Sequence, residues 1–204
     1  LRVLRHWHFA ALARRKRVEL LSLNTVIRGL SSFGAPPQLV RQMRGAAANL
    51  VKHVDMFADL SRRYGLSPER GTQQTLAKQG LYDLAKENLI RGCLCGAVQA
   101  TMAEYQAEAA GDEEVRTTLR EIAADERRHH ELAWEIDAWL TPMLSAGQRQ
   151  QLKETQNQSI AAARVQLERP APAELQYFAG VPSVADALTL YDALVAELFS
   201  EPGE

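Results

Sequence analysis

Apolar residues recur every three or four positions along four long stretches of this sequence, and that period commits them to helices with one face turned inward. Such steps trace Phe9, Leu12, Lys16, Leu20, Leu23, Ile27 and Leu30 in the first stretch, and Leu39, Met43, Ala46, Leu50, His53, Phe57 and Leu60 in the second. The third gives Leu89, Cys93, Gly96, Ala100 and Ala103, and the fourth Val115, Leu119, Ile122, Glu126, His129, Ala133, Ile136 and Leu140. Ala and Leu dominate while β-branched and aromatic residues are sparse, which favours helix over sheet.

Glycines, prolines and capping residues set the ends of these helices. Gly34-Ala35-Pro36-Pro37 supplies a helix-ending glycine and then prolines suited to a new first turn. The second helix then runs from about Pro36 to Tyr64 and stops at Gly65. A polar loop through Ser67, Pro68 and Gly71 leads to a third helical stretch reaching about Ala110. Gly111-Asp112 reads as a stop followed by an N-cap, opening a fourth helix to about Met143. Ser145-Ala146-Gly147-Gln148 has the form of a capping box for a fifth helix that ends before Pro170. Pro170, Pro172 and Gly180 predict an irregular connector, and Ser183-Val184-Ala185-Asp186 a capped start for a short helix ending near Phe199.

The expected fold is all-α. Short connections between four long helices predict an up-down-up-down four-helix bundle over residues 1–143, with Leu20, Leu23, Leu50, Phe57, Ile122 and Ile136 inside. Residues 144–204 are expected as a C-terminal appendage of one or two helices packed on the same domain.

With 204 residues the chain can bury an ample core, and a formal net charge of -1 from interspersed charges gives no field for nucleic acid or an anionic membrane. The run Arg14-Arg15-Lys16-Arg17 reads as a solvated helix face, with a phosphate or partner contact as the lesser alternative. Cys93 and Cys95 sit two apart on a helix, point to different faces and suit a reducing compartment, so a cytoplasmic location is expected. No apolar run approaches the roughly 20 residues that span a bilayer, and the N-terminus lacks the apolar core of a signal peptide.

Four ionisable residues interrupt the apolar stripes near mid-helix: Lys16, His53, Glu126 and His129. An unpaired charge in a core costs several kcal/mol as an order of magnitude, so these groups require one another or a ligand. Antiparallel helices of similar length bring their midpoints to one level, where the four are expected to form a polar core cluster. Taken alone, each inward histidine is more simply a hydrogen-bonded core residue. Glu126-x-x-His129 is more specific, because a three-residue step puts a carboxylate and an imidazole side by side on one face.

On these residues the sequence resembles the ferritin-like superfamily of di-iron carboxylate proteins, in particular bacterial ferritin-like domain proteins of similar size. The resemblance covers roughly Trp7 to Trp139 and rests on Gly34 to Pro37 with Leu39-Val40-Arg41, Asn49 to Phe57, Gly92-Cys93, and Ala124 to Trp134. It implies one Glu from each of two helices and a Glu-x-x-His from each of the other two. Glu126 and His129 match the fourth-helix motif and His53 the second-helix histidine, as remnant metal ligands. Leu50 stands where the second-helix motif wants Glu, and Lys16 where the first helix should supply its own. The third helix offers Arg91, Cys93 and Gly96, with no Asp or Glu between Asn88 and Thr101.

One Glu and two His supply too few anionic oxygens for two divalent cations. The primary expectation is a degenerate ferritin-like bundle without a cofactor or catalytic residue: a non-ferroxidase scaffold, accessory or ligand-binding protein. Lys16 is then expected to take the place of a cation and neutralise Glu126, with Gly96 leaving room for it. The alternative is a metal-dependent oxidoreductase with one iron or another divalent cation on His53, Glu126 and His129, a two-His-one-carboxylate set to which Cys93 could add a soft ligand. A third reading makes Lys16 a reactive amine that forms a Schiff base with a carbonyl compound. Trp134, Trp139, Tyr82 and Tyr105 read as packing residues. The expected partner is an unassigned protein or small ligand, and the resemblance implies at most a homodimer.

Overall fold

In the computed structural model of this chain, residues 1–65 and 79–199 are described. They form α1 (Arg2–Ser32), α2 (Pro37–Arg62), α3 (Leu81–Glu87), a π-helical segment (Asn88–Leu94), α4 (Cys95–Ala109), α5 (Glu113–Leu140), a 3-10 turn (Thr141–Met143), α6 (Ala146–Leu167), α7 (Ala173–Ala179) and α8 (Val184–Phe199). The fold is all-helical, and no strand occurs among the described residues. No single helix there is long and apolar enough to cross a membrane, and α7 with α8 reaches that length only across a 59° bend. The loop expected through Ser67, Pro68 and Gly71 lies outside the described residues.

The chain divides into two compact units, Leu1–Arg91 with Glu131–Leu144, and Gly92–His130 with Ser145–Glu204. In the first, α1 and α2 pair antiparallel after a turn whose geometry follows from its glycine. Gly34 has φ 76°, and Ala35 N–H returns to Leu30 O at 2.9 Å, the six-residue closure of a Schellman motif. At the far end of the pair, Ser61 donates to His6 O at 3.2 Å and the His6 ring donates from Nδ1 to Ser61 O at 3.1 Å. α3 lies across Gly29, where a Cβ would stand 2.7 Å from the Leu84 side chain. Asn88 donates through Nδ2 to Ala133 O at 2.9 Å, tying the start of the π segment to the last turns of α5.

The apolar period places most of this core correctly: Leu50, Phe57 and Ile136 are buried, as are Phe9, Leu30 and Met43. Leu20 and Leu23, expected inside, are only half-buried, because the inward face of α1 shifts to Thr25, Val26 and Ile27 below Lys16.

In the second unit Asp112 caps α5 as expected, accepting through Oδ1 from Glu114 N and Val115 N at 3.1 Å each. Ser145 and Gln148 form the expected capping box of α6, with Ser145 Oγ accepting from Gln148 N at 3.2 Å. Ser183 Oγ likewise accepts from Asp186 N at 3.1 Å at the start of α8. The connector after Pro170 departs from the irregular segment expected there. It contains α7, with Pro172 at its N-cap and Leu175, Phe178 and Ala179 buried. A helix of two turns is unstable in isolation, so it is packing against α4 that forms it.

α7 also completes the turn before α5. Gly111 N–H donates to Tyr177 O at 2.9 Å and Asp112 N–H to Phe178 O at 3.3 Å, so the free carbonyls ending α7 meet the free amides leading into α5. Gly180 then takes φ 63°, passing so close to α4 that a Cβ would stand 2.6 Å from Ala110 N and 2.7 Å from Gln106 O. α8 packs on α4 and α6, where Tyr191 is wholly buried and donates its hydroxyl to Ile160 O at 2.7 Å. Ile122, Leu119 and Val115 complete the buried face of α5 in this unit.

Candidate functional site

Three of the four ionisable interruptions of the apolar stripes are buried, at 5 % exposure for Lys16, 0 % for His53 and 4 % for Glu126. The His129 side chain is 13 % exposed. Period alone therefore identified inward-facing polar groups, since no local rule distinguishes them from surface charges.

Lys16 and His53 belong to the first unit, on the paired helices α1 and α2. The Lys16 ammonium lies 2.7 Å from Glu19 Oε2, one turn along α1, and Glu19 is itself mostly covered at 21 % side-chain exposure. Sequence reasoning passed over Glu19. The available signal was its i,i+3 spacing from Lys16, which sets the two side chains together on one helix face. A half-buried carboxylate beside a buried ammonium gives that ammonium the anion it needs within its own helix.

Glu126 and His129 belong to the second unit, on α5. His129 Nδ1 stands 3.8 Å from Glu126 Oε1, which is ion-pair distance but too long for a hydrogen bond. The three-residue step thus does bring this carboxylate and imidazole together. Asp125, buried beside Glu126, takes the exposed Arg128 as its salt-bridge partner.

The third-helix positions lie in and just after the π segment. Arg91 is exposed, Cys93 wholly buried, and Gly96 and Cys95 half-buried, with both cysteines free. Asn88, Leu89, Cys93 and Leu94 of this segment are buried. Of the basic run, Arg14 and Arg15 are exposed and Arg17 half-buried, while Lys16 faces in. Trp134, Trp139 and Tyr82 are half-buried, and Tyr105 donates its hydroxyl to Asp186 Oδ2 at 3.2 Å.

His8, which the apolar period left aside, has a strongly shifted imidazole. Burial, with the Arg15 guanidinium second, pushes its imidazole down to about 4, so the ring is neutral at physiological pH.

A paired-iron centre does not fit these residues. Where the resemblance calls for carboxylates, a buried leucine stands at Leu50 and a buried ammonium at Lys16, which lies 2.7 Å from Glu19 Oε2. A cation beside that ammonium would be repelled, and the leucine offers no lone pair. Among the described residues no group of three His, Cys, Asp or Glu side chains is arranged to hold a metal ion. The chain matches no protein-family model, no curated protein and no solved structure.

Proposed function

We propose that this chain is a ferritin-like four-helix bundle with added C-terminal helices that has lost paired-iron chemistry and serves as a non-ferroxidase scaffold, accessory or ligand-binding protein. One observation carries this reading: the buried Lys16 ammonium stands 2.7 Å from Glu19 in the helix where the resemblance places an unneutralised metal-binding carboxylate. A carboxylate held by an ammonium has its charge already offset, and binding iron would first require breaking that pair in a poorly solvated place. The burial of Leu50 supports the same reading, since it removes a second anionic donor from α2.

The deciding measurement is aerobic addition of ferrous iron to the purified protein, with oxidation followed by absorbance. No stoichiometric oxidation above a protein-free control is expected, and the protein purified from metal-rich medium should be essentially metal-free by elemental analysis. Rapid oxidation of two irons per chain would overturn the proposal. The 3.8 Å approach of Glu126 and His129 favours a second reading, one divalent cation held on α5. Recovery of one metal per chain, lost in Glu126→Gln, would establish that reading in place of the first.

A further inference from the structure

The near-zero net charge of the chain conceals an uneven distribution. Residues 1–18 hold Arg2, Arg5, Arg14, Arg15, Lys16 and Arg17 and no carboxylate, and Glu19 is the first acid. All of them but Leu1 lie in the first half of α1. That half is apolar on two sides. Phe9, Ala10 and Ala13 are buried with Lys16 on the inner side, yet Val3, Trp7 and Val18 stand outward at 67 %, 58 % and 56 % exposure, with exposed Ala11 between them. At 100° per residue these four fall within a sector of about 80°, and Val3 to Val18 spans about 22 Å along the axis. Arg14 lies inside that sector and Arg15 at its border, both exposed, and neither forms an ion pair among the described residues. At the same end of the hairpin the Arg5 and Arg63 guanidinium groups lie 5.6 and 5.7 Å from the Tyr64 ring, adding two further cations.

A straight ridge of large apolar side chains with guanidinium groups among and beside them needs a surface that is anionic and apolar at once. The phosphodiesters of a nucleic acid would answer the arginines but leave Val3, Trp7 and Val18 without apolar contact. An apolar protein face would answer those three and strand Arg14, which stands among them. The headgroup region of an anionic bilayer offers both within one depth, because acyl carbons begin just below a plane of phosphates. We propose that the outer face of α1 between Val3 and Val18 docks on the surface of an anionic phospholipid bilayer, with the helix axis parallel to the membrane plane. Trp7 enters the boundary between headgroups and acyl chains, flanked by Val3 and Val18. Arg14 and Arg15 are long enough to lay their methylenes along the same boundary while their guanidinium groups reach the phosphates. The inner face of α1 stays packed on α2, so docking requires no unfolding.

The inference does not depend on the absence of ferroxidase activity. It is tested on the full chain by co-sedimentation with vesicles of phosphatidylcholine alone or of phosphatidylcholine with about one third phosphatidylglycerol. Binding is expected to the second and not to the first, and it should fall at least about tenfold between about 0.1 and about 0.5 M salt. Arg14→Glu with Arg15→Glu should weaken it at least about tenfold, and Val3→Ser with Trp7→Ser by a similar factor. Arg41→Glu with Arg44→Glu makes the same change of charge at exposed positions of α2 near the Gly34 turn, and should leave the affinity within about threefold. Tryptophan emission of the parent should shift to the blue on adding anionic vesicles, and Trp7→Phe should bind without that shift. All the substituted positions are exposed, and circular dichroism establishes that the variants remain folded. A parent protein that ignores anionic vesicles, or binds neutral ones equally well, overturns the proposal. So does an α2 reversal as damaging as the α1 reversal, or a Val3→Ser, Trp7→Ser variant that binds like the parent, since each reduces the effect to bulk charge.

Discussion

Lys16 and Glu19, three residues apart on α1, form an ion pair of 2.7 Å with the ammonium buried and the carboxylate at the edge of the core. The pair is made within one helix, so it forms as the helix forms and needs only burial to become strong. Lys16→Met keeps much of the side-chain bulk while leaving Glu19 without this partner. A loss of about 2 kcal/mol is expected, less than for a wholly buried pair because Glu19 retains some solvent. Adding Glu19→Gln should recover about 1 kcal/mol of it, the signature of a coupled pair. Urea denaturation of parent, singles and double checks both figures, and additive single effects would show that the two side chains do not depend on each other.

His8 makes stability depend on pH in the acid range. Its imidazole takes up a proton near 6.5 in the unfolded chain but only near about 4 in the folded one, so falling pH favours the unfolded state. The stabilisation is complete above that upper value and is lost progressively as pH falls towards the lower one. Between pH 7 and 5 the loss from this residue should be about 2 kcal/mol. Asp137 acts in the opposite sense, because burial raises its carboxyl and the folded state holds its proton longer as pH rises. The difference between parent and His8→Leu isolates the histidine. Melting curves of the variant should show a shallower acid slope, and identical slopes would refute the assignment.

Two glycines with positive φ should respond very differently to alanine. Gly34 has φ 76° and open space within 4 Å of where a Cβ would stand, so Gly34→Ala carries only the cost of the left-handed backbone, about 1 kcal/mol. Gly180 has φ 63° and a Cβ there would stand 2.6 Å from Ala110 N, a clash with backbone that cannot swing away. Gly180→Ala should therefore cost about 3 kcal/mol or more, adding overpacking to backbone strain. Denaturation midpoints that place the two variants level would show that α7 does not press on α4 as described.

Tyr191 anchors α8 on α6 through ring burial and one hydroxyl bond to Ile160 O at 2.7 Å. Burial pushes its phenol up, which keeps the hydroxyl protonated as the donor. Tyr191→Phe should cost about 1 kcal/mol by losing that bond, and Tyr191→Ala about 4 kcal/mol by also opening a cavity. Hydrogen exchange across α8 should rise with the second variant well before it rises across α1 and α2.

Helix ends and inward faces were legible in the sequence because the forces that set them are local. Gly34 before two prolines, Asp112 before Val115, Ser145 with Gln148 and Ser183 with Asp186 each act within one turn, and their bonds are where spacing placed them. The same locality made Lys16, His53 and Glu126 stand out as polar residues on buried faces. What the sequence could not supply is anything decided by chain segments far apart. The His8 ring is held neutral only because packing removes solvent around it, and the same packing, not the i,i+3 spacing, makes the Lys16–Glu19 pair a buried one. α7 is too short to hold itself and exists because Leu175, Phe178 and Ala179 are buried, and the π turn shows in no residue pattern, although the helical period still placed Leu89, Cys93, Ala100 and Ala103 on the buried face. Burial is a property of the assembled tertiary structure, and it changes the energy of a charge by more than any neighbour in sequence does.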